Sequence, residues 1–530
     1  MTKHISSRFG FKRHLAENGF TRTELVLEPA DAMAGEAPAE ASPLATFIHL
    51  SDLHVCDAKS PARIEFLDRY ADPDYATREI IDYVGTYRPQ EFLTLQVIEA
   101  MVQAANSIAV GPLLGAEVDG VLITGDVIDN GQANELEWYR QLMEGGPVSS
   151  ASGQANLIEA AHGTHPAFTD DHYYKPDTTG SQRTIEKWGM VPVPGLEVAA
   201  QAEFVATGLT HPWYAIHGNH DAMLQGMVPP TDELNSLVTG SQKLSGVANG
   251  VDPREVFAEF SEVGPANYPS TELLTQTPVT QDSARRFVEM NDWVSSHTDC
   301  GHDHGLSVDQ KVAYWTRDFG DVRVIALDTV NVWGGWQGCI DPQQFSWLTE
   351  LLSQSIGKYV VLTSHHPLQD LFNGYAPEGE QKPHLKDEVA NLLGAYPNVI
   401  AWISGHVHDH NISFQESQSG AWGFWQIRTG SHMDWPQQAR VIEIAKTQDG
   451  RIAIGTQVFD HFGNSILSLP DLADLGAADL AEPRCLAGIS RVLAANDWQR
   501  FAGSNSLEVL EGTPADRNAW LWLQDPFATA

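Results

Sequence analysis

Five short apolar runs in this chain each stop on a cluster of metal-ligand side chains, and that recurrence limits the folds open to it. ATFIHL runs into SDLH, DGVLIT into GDVIDN, PWYAIH into GNHD, YVVLTS into HHP, and NVIAWIS into GHVH. The runs are short and rich in β-branched and aromatic side chains, which reads as buried strands. Between the first two lies EFLTLQVIEAMVQAANSIA, where Leu93, Val97, Met101 and Ala105 recur every fourth residue and predict an amphipathic helix. Strand, helix, strand, with polar groups at strand ends, predicts an α/β sheet whose site lies at its carboxyl edge.

Further along, RVIALDTV resumes strand character, QQFSWLTELLSQS reads as a helix, and VIEIAKTQDGRIAIGTQVF reads as a hairpin with a DG turn. Residues 1–43 read as an N-terminal arm ending in a linker, EPADAMAGEAPAEASP. Residues 44–460 are expected to form the catalytic domain. Its insertions, at about 141–208 and 226–310, have the composition of substrate loops, the second with a single helix. Residues 461–530, helical and then extended, are expected to be an appendage packed on the core.

Charge disfavours one class of partner. With 69 acidic and 32 basic side chains the net charge is -37, and no basic stripe interrupts it, so nucleic acid is not expected as a partner. The four cysteines (Cys56, Cys300, Cys339, Cys485) form no CxxC pair, and neither a disulfide framework nor a zinc ribbon is expected. The first forty residues contain no apolar core of a secretion signal and no twin arginine, and no apolar stretch is long enough to span a bilayer. A soluble cytoplasmic protein is the expectation.

The side chains at the run ends are Asp52 and His54, Asp126, Asn219 and His220, His365 and His366, His406 and His408. All are oxygen or imidazole donors without thiolate, a mix that suits Mn, Fe or Zn better than Ca. Two ions sharing one carboxylate need about seven such donors and can clamp the attacking and leaving oxygens of phosphoryl transfer. A lone DxH is a common chance pattern. Five motifs in order, each behind its own apolar run, are not.

DLH, GDVIDN, GNHD, SHHP and GHVH resemble the ordered signature of the calcineurin-like metallophosphoesterases. Longer segments, among them PWYAIHGNHD, VIALDTV with a following GG, and DWPQQARVIEI, resemble a less characterised bacterial branch of that family. The resemblance implies a four-layer α/β/β/α sandwich of two mixed sheets with two metals at the sheet edges. It places Asp52, His54, Asp126 and His408 on the first metal, and Asn219, His365 and His406 with the bridging Asp126 on the second. His220 would stand uncoordinated beside the phosphate as proton donor, oriented by Asp221. Asn130, His366, His302 and His304 are candidate substrate-lining residues. Of the two GHxH sequences, 405–408 is taken as the ligand pair over 301–304, which follows polar SSHT instead of a strand.

The reaction implied is hydrolysis of a phosphate ester by a metal-bridging hydroxide. Cationic donors near the motifs are few (Arg63, Arg88, Lys175), which leans the substrate towards a small phosphodiester. A phosphomonoesterase is the alternative, ahead of a nuclease or a non-catalytic scaffold.

Overall fold

The computed structural model describes the chain except residues 1–2, 16–20, 73–74, 76, 78–83, 179, 181, 262–270, 299–303, 308, 501–505 and 529–530. Its strands along the chain are β1 (Ser7–Leu15), β2 (Thr21–Pro29), β3 (Ala41–Leu50), β4 (Gly120–Thr124), β5 (Gly146–Val148), β6 (Phe204–Ala206), β7 (Trp213–Ile216), β8 (Gln242–Val247) and β9 (Leu274–Pro278). They continue with β10 (Trp315–Phe319), β11 (Val322–Leu327), β12 (Tyr359–Ser364), β13 (Val399–Ser404), β14 (Asn411–Glu416), β15 (Gly423–Arg428), β16 (Gln438–Thr447), β17 (Arg451–Asp460) and β18 (Ala519–Gln524).

Twelve of these form two six-stranded mixed sheets, in the orders β18-β17-β16-β3-β4-β7 and β10-β11-β12-β13-β15-β14. Each has a parallel part, β3-β4-β7 running to the edge of the first sheet and β11-β12-β13-β15 in the middle of the second, with antiparallel strands beyond it. All five motif-bearing runs lie in these parallel parts, β7 at the edge of its sheet, and each is buried where it reaches its motif, which explains the unbroken apolar character: a strand covered on both faces has no polar side to show.

The alternation of side chains sorts the layers. In β11 and β12, Val324, Ala326 and Val361 face the core between the sheets, with Phe47 and Ile442 of the opposite sheet. Their neighbours Ile325, Leu327, Val360 and Leu362 face outward onto Leu348 and Leu352 of helix Pro342–Gln354 and Val389 of helix Lys386–Leu393. The other sheet is covered by helices Thr94–Asn106 and Ala133–Glu144, completing a four-layer α/β/β/α sandwich.

Three sequence expectations change. Helix Thr94–Asn106 is buried almost all round instead of being amphipathic, because helix Pro483–Ala495 packs on the side that would otherwise face water. The N-terminal arm is a hairpin, β1–β2, whose Phe9 and Leu25 enter a second core with Ile489 and Val492 of that same C-terminal helix. The 226–310 stretch carries helices Asp232–Val238, Pro253–Ser261 and Met290–Ser296 and hairpin β8–β9, where one helix was expected. At the far end of the chain, β18 pairs with β17 and so completes the first sheet. Among the described residues no helix is long and apolar enough to cross a membrane. Cys56, Cys339 and Cys485 are buried free thiols, and Cys300 lies outside the described residues.

Candidate metal centre

The carboxyl ends of β3, β4 and β7 in one sheet and β12 and β13 in the other meet at one edge of the sandwich. The loops leaving them are tightly wound. Asp52, His54, Asp126, His406 and His408 all take left-handed backbone, with φ of 51°, 46°, 47°, 72° and 63°. L-residues adopt that region at a cost and hold it where the surrounding structure over-determines it, as at ligand sites. Two glycines let the loops close. A Cβ on Gly218 would fall 2.3 Å from Asp126 Oδ1, and one on Gly405 would fall 1.8 Å from Ser51 Oγ and 2.4 Å from Asp52 Oδ2.

Asp126 stands between two imidazole pairs. Its Oδ2 lies 3.0 Å from His365 Nε2 and 3.9 Å from His54 Nε2. On one flank His54 Nε2 and His408 Nε2 approach to 3.1 Å, with Asp52 Oδ1 3.3 Å from His408 Nε2. On the other, His365 Nε2 and His406 Nδ1 are 3.2 Å apart. Asn219 spends its Nδ2 on the Gly226 carbonyl at 3.1 Å, leaving Oδ1 buried without a partner.

The far nitrogens of these rings decide what the near ones offer. His54 Nδ1 lies 3.1 Å from Asp129 Oδ1, His408 Nδ1 lies 2.6 Å from Asp434 Oδ2, and His365 Nδ1 lies 2.8 Å from the Thr124 carbonyl. Each partner can only accept, so each Nδ1 carries its proton and a neutral ring turns its Nε2 lone pair inward. Inward lone pairs facing one another and two buried carboxylates repel unless positive charge lies between them. The donor set therefore fits cations. Donor atoms of Asp52, His54 and His408, of Asp52, Asp126 and His365, of His54, Asp126 and His220, and of His365, His366 and His406 lie within 4.8 Å of one another in each group, as a metal ion needs.

Without bound ions, protons would take that place. Burial would push Asp52 up, but His408 overrides it and holds the carboxyl below its usual range; His365 does the same, more strongly, for Asp126. Burial likewise opposes charge on the imidazoles, yet Asp126 raises His365 to about 9 and Asp52 raises His408 to about 9.

Behind the imidazoles lie two carboxylates that sequence reasoning missed. Asp129 is paired to Arg63 at 2.5 Å, and Asp434 to Arg88 at 3.1 Å and Arg500 at 2.6 Å. These arginines overcome burial and hold both carboxyls well below their usual range. Carboxylates that hold a ligand histidine by its far nitrogen fix its tautomer and orientation and raise its basicity. Asp129 sits inside the GDVIDN motif and Asp434 opens DWPQQAR, so both were in view; nothing in the sequence says that their side chains turn towards a histidine. Arg63 and Arg88, read as possible phosphate donors, are buried in these pairs. Lys175 is spent on the carbonyls of Ala161, Gly163 and Phe168.

Several lining residues are relocated. His220 stands at the cage, its Nδ1 bonded to the Asp129 carbonyl at 2.8 Å and its ring 4.6 Å from that of His54. Its orienting partner is Asp129; Asp221 instead accepts backbone N–H bonds from Val127, Ile128 and Gly218, clamping the Asp126 loop to the Asn219 loop. Asn130 is fully buried and bonded to Glu135. His366 is also fully buried beside His406, with Nδ1 on Thr329 Oγ1 and Nε2 on the Trp336 carbonyl. His304 stacks on Trp213 at the start of β7, the strand end opposite the cage, and bonds Glu144. His302 lies outside the described residues.

A two-sheet sandwich with a carboxylate–imidazole cage at the ends of its parallel strands is suited to hold metal ions. Residues 194–410 match the family model of the calcineurin-like phosphoesterases, a family of metal-dependent phosphoester hydrolases. The match contains Asn219, His220, His365, His406 and His408; folding adds Asp52, His54 and Asp126 from upstream. No curated protein matches the chain.

Proposed function

We propose that the chain hydrolyses small phosphodiesters with a pair of transition-metal ions (Mn, Fe or Zn) held by Asp52, His54, Asp126 and His408 on one side and by Asn219, His365 and His406 with Asp126 on the other. The observation that carries this reading is the convergence of these donors on both flanks of Asp126, with the Asn219 Oδ1 left unpartnered. When bound, such a pair supplies Lewis acidity and a nucleophile drawn from water near neutral pH.

The chain's own residues supply the rest. Asp129 and Asp434 hold His54 and His408 in one tautomer and one orientation. The Asp129 carbonyl fixes the Nδ1 proton of His220, so Nε2 is the nitrogen left to meet the ester. Burial works against charge on His220, but Asp126 and Asp129 raise it above its ordinary value, which suits a proton donor to the leaving oxygen. The engagement of Arg63, Arg88 and Arg500 behind the imidazoles supports a monoanionic diester over a dianionic monoester.

Stripped protein should regain activity on bis-p-nitrophenyl phosphate when Mn, Fe or Zn is restored, with about two ions per chain by metal analysis. Faster turnover of mono-p-nitrophenyl phosphate would reverse the diester preference. Absence of p-nitrophenolate release with every metal would remove the proposal.

A further inference from the structure

The GG that follows VIALDTV belongs to a loop, NVWGGWQG, between β11 and helix Pro342–Gln354 that no ligand role explains. The loop is pinned from several sides. Gly335 N donates to Met227 O at 2.9 Å, Gly338 N to Asp370 O at 2.9 Å, and the buried Asn373 reaches Gly334 O through Nδ2 at 2.8 Å. Yet its apolar side chains stand in solvent: Val332 is 66% exposed, Trp333 42% and Trp336 40%, with Phe372 at 39% from the neighbouring turn. An anchored loop that keeps aromatic rings out of the core is a feature of binding surfaces.

Its position relates it to the cage. Trp336 lies nearly parallel to His406, with ring centroids 5.9 Å apart, and meets Phe372 edge-on at 5.6 Å. Its carbonyl takes the His366 Nε2 bond, which ties the loop to the His365–His406 flank. His220 belongs to the other flank, against His54. A phosphorus centre beside Asp126 would thus have a proton donor on one side and an aromatic surface on the other.

We propose that Trp336, backed by Phe372, is the specificity surface for the non-leaving arm of the ester, and that this arm is a planar or aryl group. The inference rests on the phosphodiester reading of the cage. A planar arm stacks on the exposed indole while the leaving oxygen faces His220; a short alkyl arm leaves the indole wet.

The test is binding, by calorimetry on manganese-loaded protein, of two monoanions with the same head group: the O-methyl esters of phenylphosphonate and methylphosphonate. The phenyl compound should bind about tenfold tighter, the scale of one aromatic stacking contact. Trp336→Ala should erase most of that ratio while leaving methylphosphonate ester affinity within about twofold, and Trp336→Phe should restore part of it. A wild-type ratio near one, a ratio that survives Trp336→Ala, or equal weakening of both compounds would overturn the proposal, the last because it would mean that Trp336 acts through His406. Binding of neither compound would remove the cage reading and the platform together. The expected ratio without hydrolysis of any p-nitrophenyl ester would support the platform and sink the diesterase reading alone.

Discussion

At the scale of single residues, the groups behind the cage matter as much as those in it. Asp434 joins His408 to Arg88 and Arg500, so Asp434→Asn should both loosen the ligand and strand two buried guanidinium groups. Metal affinity should fall about 10- to 100-fold, the usual cost of losing such a partner. Stability should fall by about 3–5 kcal/mol, because an uncompensated buried charge remains. Metal titration and a denaturant melt separate the two effects. His220→Ala should leave metal content at wild-type level while slowing esters of poor leaving groups far more than p-nitrophenyl esters. Equal losses on both kinds of ester would deny it the proton-donor role.

At the scale of elements, the critical parts are the turns that end the strands. Five candidate ligand residues share left-handed backbone, and Gly405 gives the β13 turn its clearance from Ser51 and Asp52. Gly405→Ala puts a methyl where no atom fits, between backbone-bonded groups that have little room to move. We expect a loss of about 1–3 kcal/mol, of the size seen when close-packed interiors are overfilled, together with loss of metal. A melting curve of metal-free protein isolates the packing cost, and an unchanged melt would show that the loops adjust. The elements also show why parts of the sequence misled. The four-residue spacing in Thr94–Asn106 was legible, but its second buried face was not, because the helix that covers it lies almost four hundred residues downstream.

For the whole molecule, the cage makes stability and metal loading functions of pH. His365 and His408 have folded values near 9 against an ordinary 6.5, so their proton-linked stabilisation is complete below about 6.5 and lost as pH rises through 9. Metal-free protein should therefore melt progressively lower between pH 6.5 and 9. The loaded protein should not follow, since bound ions replace those protons, and metal affinity should rise over the same interval as proton competition fades. Calorimetric melts of both forms across this range check the sign; parallel curves would mean that the cage does not carry the protons assigned to it.

The sequence by itself determined the strands that carry the site and the side chains that could ligate. Both are local properties: an apolar run sets a buried strand, and a donor set is written in residue types. Asp52, His54, Asp126, Asn219, His365, His406 and His408 could be named that way, and the structure brings them to one edge. What only the tertiary structure decided is which neutral-looking neighbours face them. Asp129 and not Asp221 holds His220, and Asp434, rather than anything near GHVH, holds His408. Asn130 bonds Glu135, His304 stacks on Trp213, and His366 is buried against His406. A side chain's direction at a turn depends on backbone angles and on packing against segments remote in the chain, and neither is encoded at the position itself.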